Sequence, residues 1–388
     1  MKHSDITDDS FGRLVPTTGG QMAFVPHDLP PRLQWGAELV SALSDANLAI
    51  GQLRGVGFNL PNPNLLISPF IRREAELSSR IEGTVATMQQ LYLFEMDERP
   101  VESQVPDVRE VANYVAALEY GLDRSRELPV CLRMIRELHE ILLKDVRGGQ
   151  SLPGQFRTGQ NWIGPPGCSI AEASYVPPPP AEMHGALDAF ERFVNSDRSQ
   201  WPVLVWVALI HYQFEAIHPF GDGNGRIGRL LITMLLCITG VLDKPLLYLS
   251  AYFERCRAEY YQRLLEVSTK GRWVEWILFF LRGVTEQSKD VFERAGQLLA
   301  LQKEYHETVC AAKRSALQVR LVDLLIERPV VTIVFVSRHF NITYPAAREN
   351  VRRLVRSGIL KEITGRRRNK IYVAERVLTI INRAFSGT

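Results

Sequence analysis

The segment that most restricts this chain is the run from Trp201 to Ile217, WPVLVWVALIHYQFEAI, which is apolar on nearly every side. A helix without a polar face can lie only inside a core, so this run is predicted to be the central helix of the main domain. A glycine-rich turn at positions 218–225 follows, and then RIGRLLITMLLCITG, a second buried helix closed by Gly240. Two such helices need others around them. Leu39, Val40, Leu43, Ala46, Leu48, Ala49 and Leu53 recur with a helical period before a glycine cluster. PFIRREAELSSRIEGT reads as another helix, ending near Gly83 because glycine commonly sits just past a helix end. Further helices are predicted over 108–122, 131–146, 252–268 and from Trp273 to about Ala311, the last long enough to act as a connector. Strand signals are scarce, so the predicted fold class is mainly α.

With 388 residues the chain is long enough for two or three domains, each able to bury a core. A content of 46% hydrophobic and 23% charged residues excludes wholesale disorder. No apolar run reaches the length of a membrane span, and MKHSDITDDSFGR lacks the layout of a secretory signal, so a cytoplasmic protein without membrane contact is expected. The five cysteines are odd in number and contain no C-x-x-C pair, which points to neither a disulfide framework nor a zinc site. The opening segment to about Asp28, with its TTGG and HDLPP turn signals, reads as a mostly irregular arm.

Charge is unevenly spread. From Ala311 onward there are 16 Lys and Arg against 5 Asp and Glu, a charge of +11 that leaves −8 for the remainder within the total of +3. A basic tail on an acidic body suggests an anionic partner for the tail.

The string from His218 to Arg229, HPFGDGNGRIGR, carries the chemistry. Glycines at 221, 223 and 225 let the backbone turn its N–H groups toward one point, at the positive end of the helix that follows. That arrangement suits phosphates. Arg226 and Arg229 stand at i and i+3, on one helix face, and are placed to reach the same polyphosphate. Asp222 suits Mg²⁺, which prefers one or two carboxylates plus phosphate oxygens. His218 titrates near neutrality and can take a proton from an attacking hydroxyl. A calcium loop is excluded because its twelfth position would be Thr233, and a Walker loop because no G-K-[ST] follows the glycines.

This string resembles the Fic family motif H-x-F-x-[DE]-G-N-G-R-x-x-R at every specified position. The resemblance implies a Fic-type helical core and a protein adenylyltransferase, which moves AMP from Mg-ATP to a Ser, Thr or Tyr hydroxyl of a target protein. It makes His218 the base, Asp222 the Mg²⁺ ligand and Phe220 the packing residue beneath the loop. Asn224, with the backbone of Gly223 and Gly225, would hold the phosphates, and Arg226 and Arg229 would contact the β- and γ-phosphates. PGQFRTGQNWIG, followed by YVPPPP, looks like the family's flap, a small β-hairpin near residues 154–180 that docks the target segment by strand addition. Tyr252, Tyr260 and Tyr261 resemble the segment framing the adenine, with Tyr252 expected to touch the nucleotide. A homodimer is the expected assembly.

Ser78-Ser79-Arg80-Ile81-Glu82-Gly83 matches the family's inhibitory pattern [ST]-x-x-x-E-[GN]. Ser78 and Glu82 are four apart and share a helix face, Gly83 ends the helix, and the carboxylate is placed to pair with Arg229. The resemblance thus implies an enzyme autoinhibited by Glu82. Removal of AMP from a modified protein, with Glu82 orienting water, is an alternative. A DNA-binding regulator with a nucleotide-sensing Fic domain is another, and the intact His218 argues against it.

Beyond Ala316 the order is a helix, a second helix, a longer basic helix and two short strands about GRRRNK, which looks like a winged helix-turn-helix. Thr343 would open the recognition helix bearing Arg348, Arg352, Arg353 and Arg356, with Arg366, Arg367 and Arg368 at the wing tip and DNA as a possible partner. The expected division is an arm over 1–30, a helical domain with the inhibitory helix over 31–125, a catalytic domain over 126–270, connector helices over 271–312 and the winged helix over 313–388.

Overall fold

The computed structural model describes residues 11–58, 64–96, 105–146, 152–311 and 316–383. It opens with an antiparallel hairpin, β1 (Gly12–Pro16) and β2 (Met22–Pro26), in which Leu14 faces Phe24. The irregular arm expected from the sequence is therefore a hairpin from Gly12 onward. Its order comes from docking: the Phe24 N–H donates to the Val176 carbonyl at 2.9 Å, and Ala23, Ala173 and Val176 form a small buried cluster.

The body is helical: α1 (Ala37–Phe58), α2 (Asn64–Ile81), α3 (Met88–Glu95), α4 (Val105–Arg124), α5 (Leu132–Leu142), α6 (Pro180–Val194), α7 (Val203–Ile217), α8 (Asn224–Ile238), α9 (Ser250–Arg255), α10 (Arg257–Lys270) and α11 (Trp273–Ala311). As its composition requires, α7 is buried along nearly its whole length and packs on α8. Leu39, Ala46, Ile50 and Leu53 of α1 face α11. The run 252–268, expected as one helix, is broken at Cys256, whose φ of −103° and ψ of 32° separate α9 from α10. Among the described residues no helix is long and apolar enough to cross a membrane.

The C-terminal part contains α12 (Ala316–Glu327), β3 (Val330–Thr332), α13 (Ile333–Phe340), α14 (Tyr344–Arg356), β4 (Lys361–Glu362), β5 (Ile371–Val373) and α15 (Glu375–Asn382), with sheet order β3-β5-β4. Asn341 takes a left-handed φ of 51° in the turn, and the Thr343 hydroxyl caps α14 by accepting from the Ala346 N–H. Val351 and Leu354 face inward, while Arg348, Arg352, Arg353, Arg356 and Arg366 to Arg368 are exposed. This is a winged helix-turn-helix.

The connector helices expected over 271–312 are, between Trp273 and Ala311, the single helix α11, and it is a core element: Trp276, Phe280, Val291, Leu298 and Tyr305 along it are buried. The winged helix also packs directly on α2 through α12 and α15. Arg72 of α2 grips Glu95 in a bidentate pair at 2.9 Å, and Arg328, between α12 and β3, reaches the same carboxylate at 2.7 Å. Both guanidinium groups lie over the Tyr92 ring, whose hydroxyl donates to the Glu327 carbonyl.

Candidate active site

The turn between α7 and α8 begins with His218 in the left-handed region, at φ 50°, and ends with Gly223 at φ 78°. Only a glycine takes the second conformation without strain, which is why α8 can start directly after the turn. Two devices hold the loop. Asn224 accepts from the Phe220 N–H at 2.8 Å and donates to the Phe220 carbonyl at 2.9 Å. Its amide is thereby engaged within the loop, so in this structure it shapes the turn and is not directed at an anion. Phe220 stacks on His139 of α5, with ring centroids 3.7 Å apart and planes 5° apart.

His139 also sets the Asp222 backbone. Gly154 donates its N–H to Nδ1 at 2.9 Å, so the ring proton sits on Nε2 and is donated to the Asp222 carbonyl at 3.0 Å. Burial pushes this imidazole down to about 4. Arg157 and Asn161 complete the frame. Arg157 donates to the carbonyls of His218 at 2.9 Å, Gly159 at 3.0 Å and Pro178 at 2.5 Å, and Asn161 donates to the Phe220 carbonyl at 3.0 Å. Burial lowers the guanidinium to about 10. The segment 152–180 is thus tied to the catalytic turn by side chains that the motif does not contain. Within it, the expected hairpin is a single antiparallel bridge between Ile163 and Tyr175, with a short 3₁₀ turn at Ile170–Glu172.

A cavity of about 610 Å³ opens between the turn, this segment and α10, and it is lined by Glu82, His218, Gly225, Arg229, Trp162 and Tyr261 among others. Burial, with Arg157 nearby, pushes His218 down to about 4, so the imidazole is neutral and able to accept a proton at physiological pH. Its Nδ1 is buried without a hydrogen-bond partner. The Asp222 side chain is about half exposed at the helix start and accepts from the Gly223 N–H at 2.6 Å.

The two arginines, which share a helix face, are drawn apart. Arg226 pairs with Glu110 of α4 at 3.1 Å and with Asp222 at 3.3 Å. Arg229 donates from Nε to the Ser78 hydroxyl at 2.9 Å and from Nη2 to the Ser78 carbonyl at 2.9 Å and to Glu82 Oε1 at 2.6 Å. Acids on different segments, Glu110 of α4 and Glu82 just after α2, cause the divergence. Burial works against ionisation of Glu82, but Arg229 outweighs it and holds the carboxyl below its ordinary value. Gly83 follows with a left-handed φ of 95°. At Gly225 a Cβ would collide with the Glu82 carboxylate, so a glycine is required for this approach.

Tyr252 is corrected by the structure. It is not among the residues lining the cavity; its ring is buried against Gly283 and Phe279. The break at Cys256 resets the helix phase, and Tyr261, Arg257 and Gln262 of α10 face the cavity in its place. Tyr260 lies inside, its hydroxyl 2.8 Å from His211 Nε2. His139, Arg157, Asn161, Glu110 and Glu215 lie outside the sequence reading of the site. Only the placing of PGQFRTGQNWIG in the flap offered a signal for two of them.

The comparisons with known proteins agree with this geometry. Residues 40–123 match the Fic/DOC family N-terminal domain, 129–236 the Fic/DOC family and 319–372 an HTH DNA binding domain. The protein named Protein adenylyltransferase Fic is 27% identical over 216 residues in Drosophila sechellia and 28% in Drosophila virilis, covering 55% of this chain and 40% of each relative. The chain thus spans about two fifths of the length of these curated relatives. A Fic family protein from Desulfovibrio desulfuricans shares the fold at 18% identity and TM-score 0.57, covering 89% of this chain and 98% of that one. Fic-1 from Caenorhabditis elegans does so at 22% identity and TM-score 0.54, covering 68% and 74%. The chain thus carries the two Fic/DOC family parts in order, with the His218–Arg229 turn near the end of the second and a helix-turn-helix behind.

Proposed function

We propose that this protein transfers AMP from Mg-ATP to a Ser, Thr or Tyr hydroxyl of a target protein and is held back by Glu82. The observation that carries this reading is convergence: a neutral His218, the glycine-rich start of α8 and Arg229 meet at one cavity. In it the backbone N–H groups at the start of α8 hold phosphate oxygens, His218 takes the proton of the target hydroxyl, and the α-phosphorus is attacked with pyrophosphate leaving. Asp222, half exposed at the helix start, fits the one-carboxylate demand of Mg²⁺, which when bound would neutralise phosphate charge. The names of the relatives support the reaction type. The exposed edge at Trp162 and Ile163, beside the cavity, suits an added target strand.

Arg229 cannot serve Glu82 and a γ-phosphate with the same Nη2 proton, and this competition is the proposed brake. AMP removal, with Glu82 orienting water, is the second reading, favoured by the position of Glu82 on the cavity wall. Exposed arginines on α14 and the wing make DNA the proposed partner of the C-terminal part. The test is incubation of the wild-type and Glu82→Gly proteins with labelled ATP and a lysate, followed by mass spectrometry. Target peptides carrying an added AMP on a hydroxyl side chain are expected, more of them with Glu82→Gly. No labelled protein with either would sink the assignment.

A further inference from the structure

We propose that Glu215 contacts the triphosphate as a hydrogen-bond donor beside Arg229, and so sets nucleotide affinity together with that arginine. The inference rests on the nucleotide reading above and concerns a residue outside the 218–229 string. Glu215 occupies the last turn of α7, one turn before His218, and lines the same cavity as Glu82, His218, Gly225 and Arg229. It fits there because residue 228 has no side chain: a Cβ on Gly228 would collide with Glu215 Oε1 and crowd His211 at 3.2 Å.

The carboxyl lacks what a carboxylate needs. Oε1 is buried and has no hydrogen-bond partner. The groups that face it are Arg229 from α8, Glu82 from the turn after α2, Tyr260 from α10 and His211 on its own helix. His211, pushed down to about 3 by burial, carries no charge, and Arg229 already donates to Ser78 and Glu82. A second anion here would therefore meet one cation that is already neutralised. Burial raises the Glu215 carboxyl, Arg229 opposes the rise, Glu82 adds to it, and the balance stands at about 8.

Exchange of Glu82 for a phosphate leaves the sign of this environment unchanged. An anion still occupies Arg229, so the protonated form of Glu215 is still preferred. A carboxylic O–H at the cavity wall is a donor, and phosphate oxygens are acceptors in search of one. An ionised Glu215 in the same place repels the triphosphate. The residue thus makes nucleotide affinity depend on pH in a range where Arg229 and a neutral His218 do not titrate.

The test measures the affinity of full-length protein for a non-hydrolysable ATP analogue with Mg²⁺, by calorimetry at pH 7, 8 and 9. It compares Glu82→Gly with Glu82→Gly/Glu215→Gln, because glutamine keeps a neutral donor of the same shape. With Glu215 present, affinity should fall about tenfold or more from pH 7 to pH 9, because its carboxyl titrates near 8 with Glu82 in place and lower once Glu82 is removed. The glutamine form should stay level, at or above the pH 7 value. Parallel pH dependence in the two proteins would overturn the inference and leave the nucleotide reading intact. Should the glutamine form not fold, a level profile for Glu82→Gly alone overturns it. No binding by Glu82→Gly at any pH removes the nucleotide reading, and this inference with it.

Discussion

Arg229 Nη2 donates to Glu82 Oε1 at 2.6 Å while its Nε holds the Ser78 hydroxyl at 2.9 Å, so one guanidinium fastens the end of α2 to the start of α8. A triphosphate that needs this arginine must displace the carboxylate or settle out of line. Misplacement by about 1 Å can cost ~10²-fold in rate. Glu82→Gly is therefore expected to raise AMP transfer by up to that factor, with a smaller change in nucleotide affinity. Arg229→Ala should be slow whether or not Glu82 is present. Transfer rates of both single variants and the double variant at saturating Mg-ATP check this. A Glu82→Gly protein no faster than wild type would favour AMP removal.

For His218, replacement by Ala removes the base and leaves the helix start and Arg229 in place. Transfer should fall ~10² to 10⁴-fold while the ATP analogue still binds. Because the imidazole is held down to about 4, the rate should be insensitive to this group above pH 6 and decline only as pH drops toward 4. Unchanged turnover in His218→Ala would refute the assignment.

His139 offers a test of the loop's support. His139→Phe keeps a ring against Phe220 but leaves the Asp222 carbonyl and the Gly154 N–H without their partner, at a cost of about 1–3 kcal/mol for each buried group. A second effect follows from pH. The unfolded imidazole titrates near 6.5 and the folded one near 4, so the unfolded chain binds more protons between those values and stability is lost as pH falls through them. The share of this one histidine is at most about 3 kcal/mol. Denaturant titrations from pH 7 to pH 4 should show the variant weaker at pH 7 and less sensitive to acid. Equal acid sensitivity would mean that His139 is protonated in the folded protein.

The winged helix should hold duplex DNA through exposed arginines. Arg352→Glu with Arg356→Glu, or alanines at Arg366, Arg367 and Arg368, should weaken retention across all sequences and reduce the salt slope by roughly one for each phosphate that is no longer neutralised. Binding measured from about 50 to 200 mM salt decides it. DNA binding that ignores salt, or is absent, would leave protein contact as the role of this face.

The parts of the site that could be read in the sequence are those whose partners are near in sequence or follow a strong pattern. The turn at 218–229 and the Ser78–Glu82 spacing are of this kind, as are α7 and α8, whose apolar runs allow one placement. Contacts across long separations could not be read. Glu110 and Arg226 lie 116 residues apart, and His139 meets Asp222 across 83. Periodicity also runs through the break at Cys256 as though α9 and α10 were one helix, so it gives no sign that Tyr252, expected at the nucleotide from the family resemblance, turns inward. The strands GRLVP and MAFVP are too short to declare themselves; they pair with each other, and β2 docks on the Val176 carbonyl.

The body and the basic tail suggested by the charge pattern share one core. One flank of α2 carries Arg72, tied through Glu95 to Arg328, and α12 lays Leu321, Val322 and Leu325 into a core continuous with that of the body. Heat should therefore meet one cooperative unit, giving a single calorimetric transition for the full chain. A protein cut before Ala316 should melt lower and expose the flank of α2 that bears Arg72. For the same reason this tail cannot be exchanged for another by matching linkers alone. Any replacement must also fit the α2 flank, with a partner for Glu95 where Arg328 now stands.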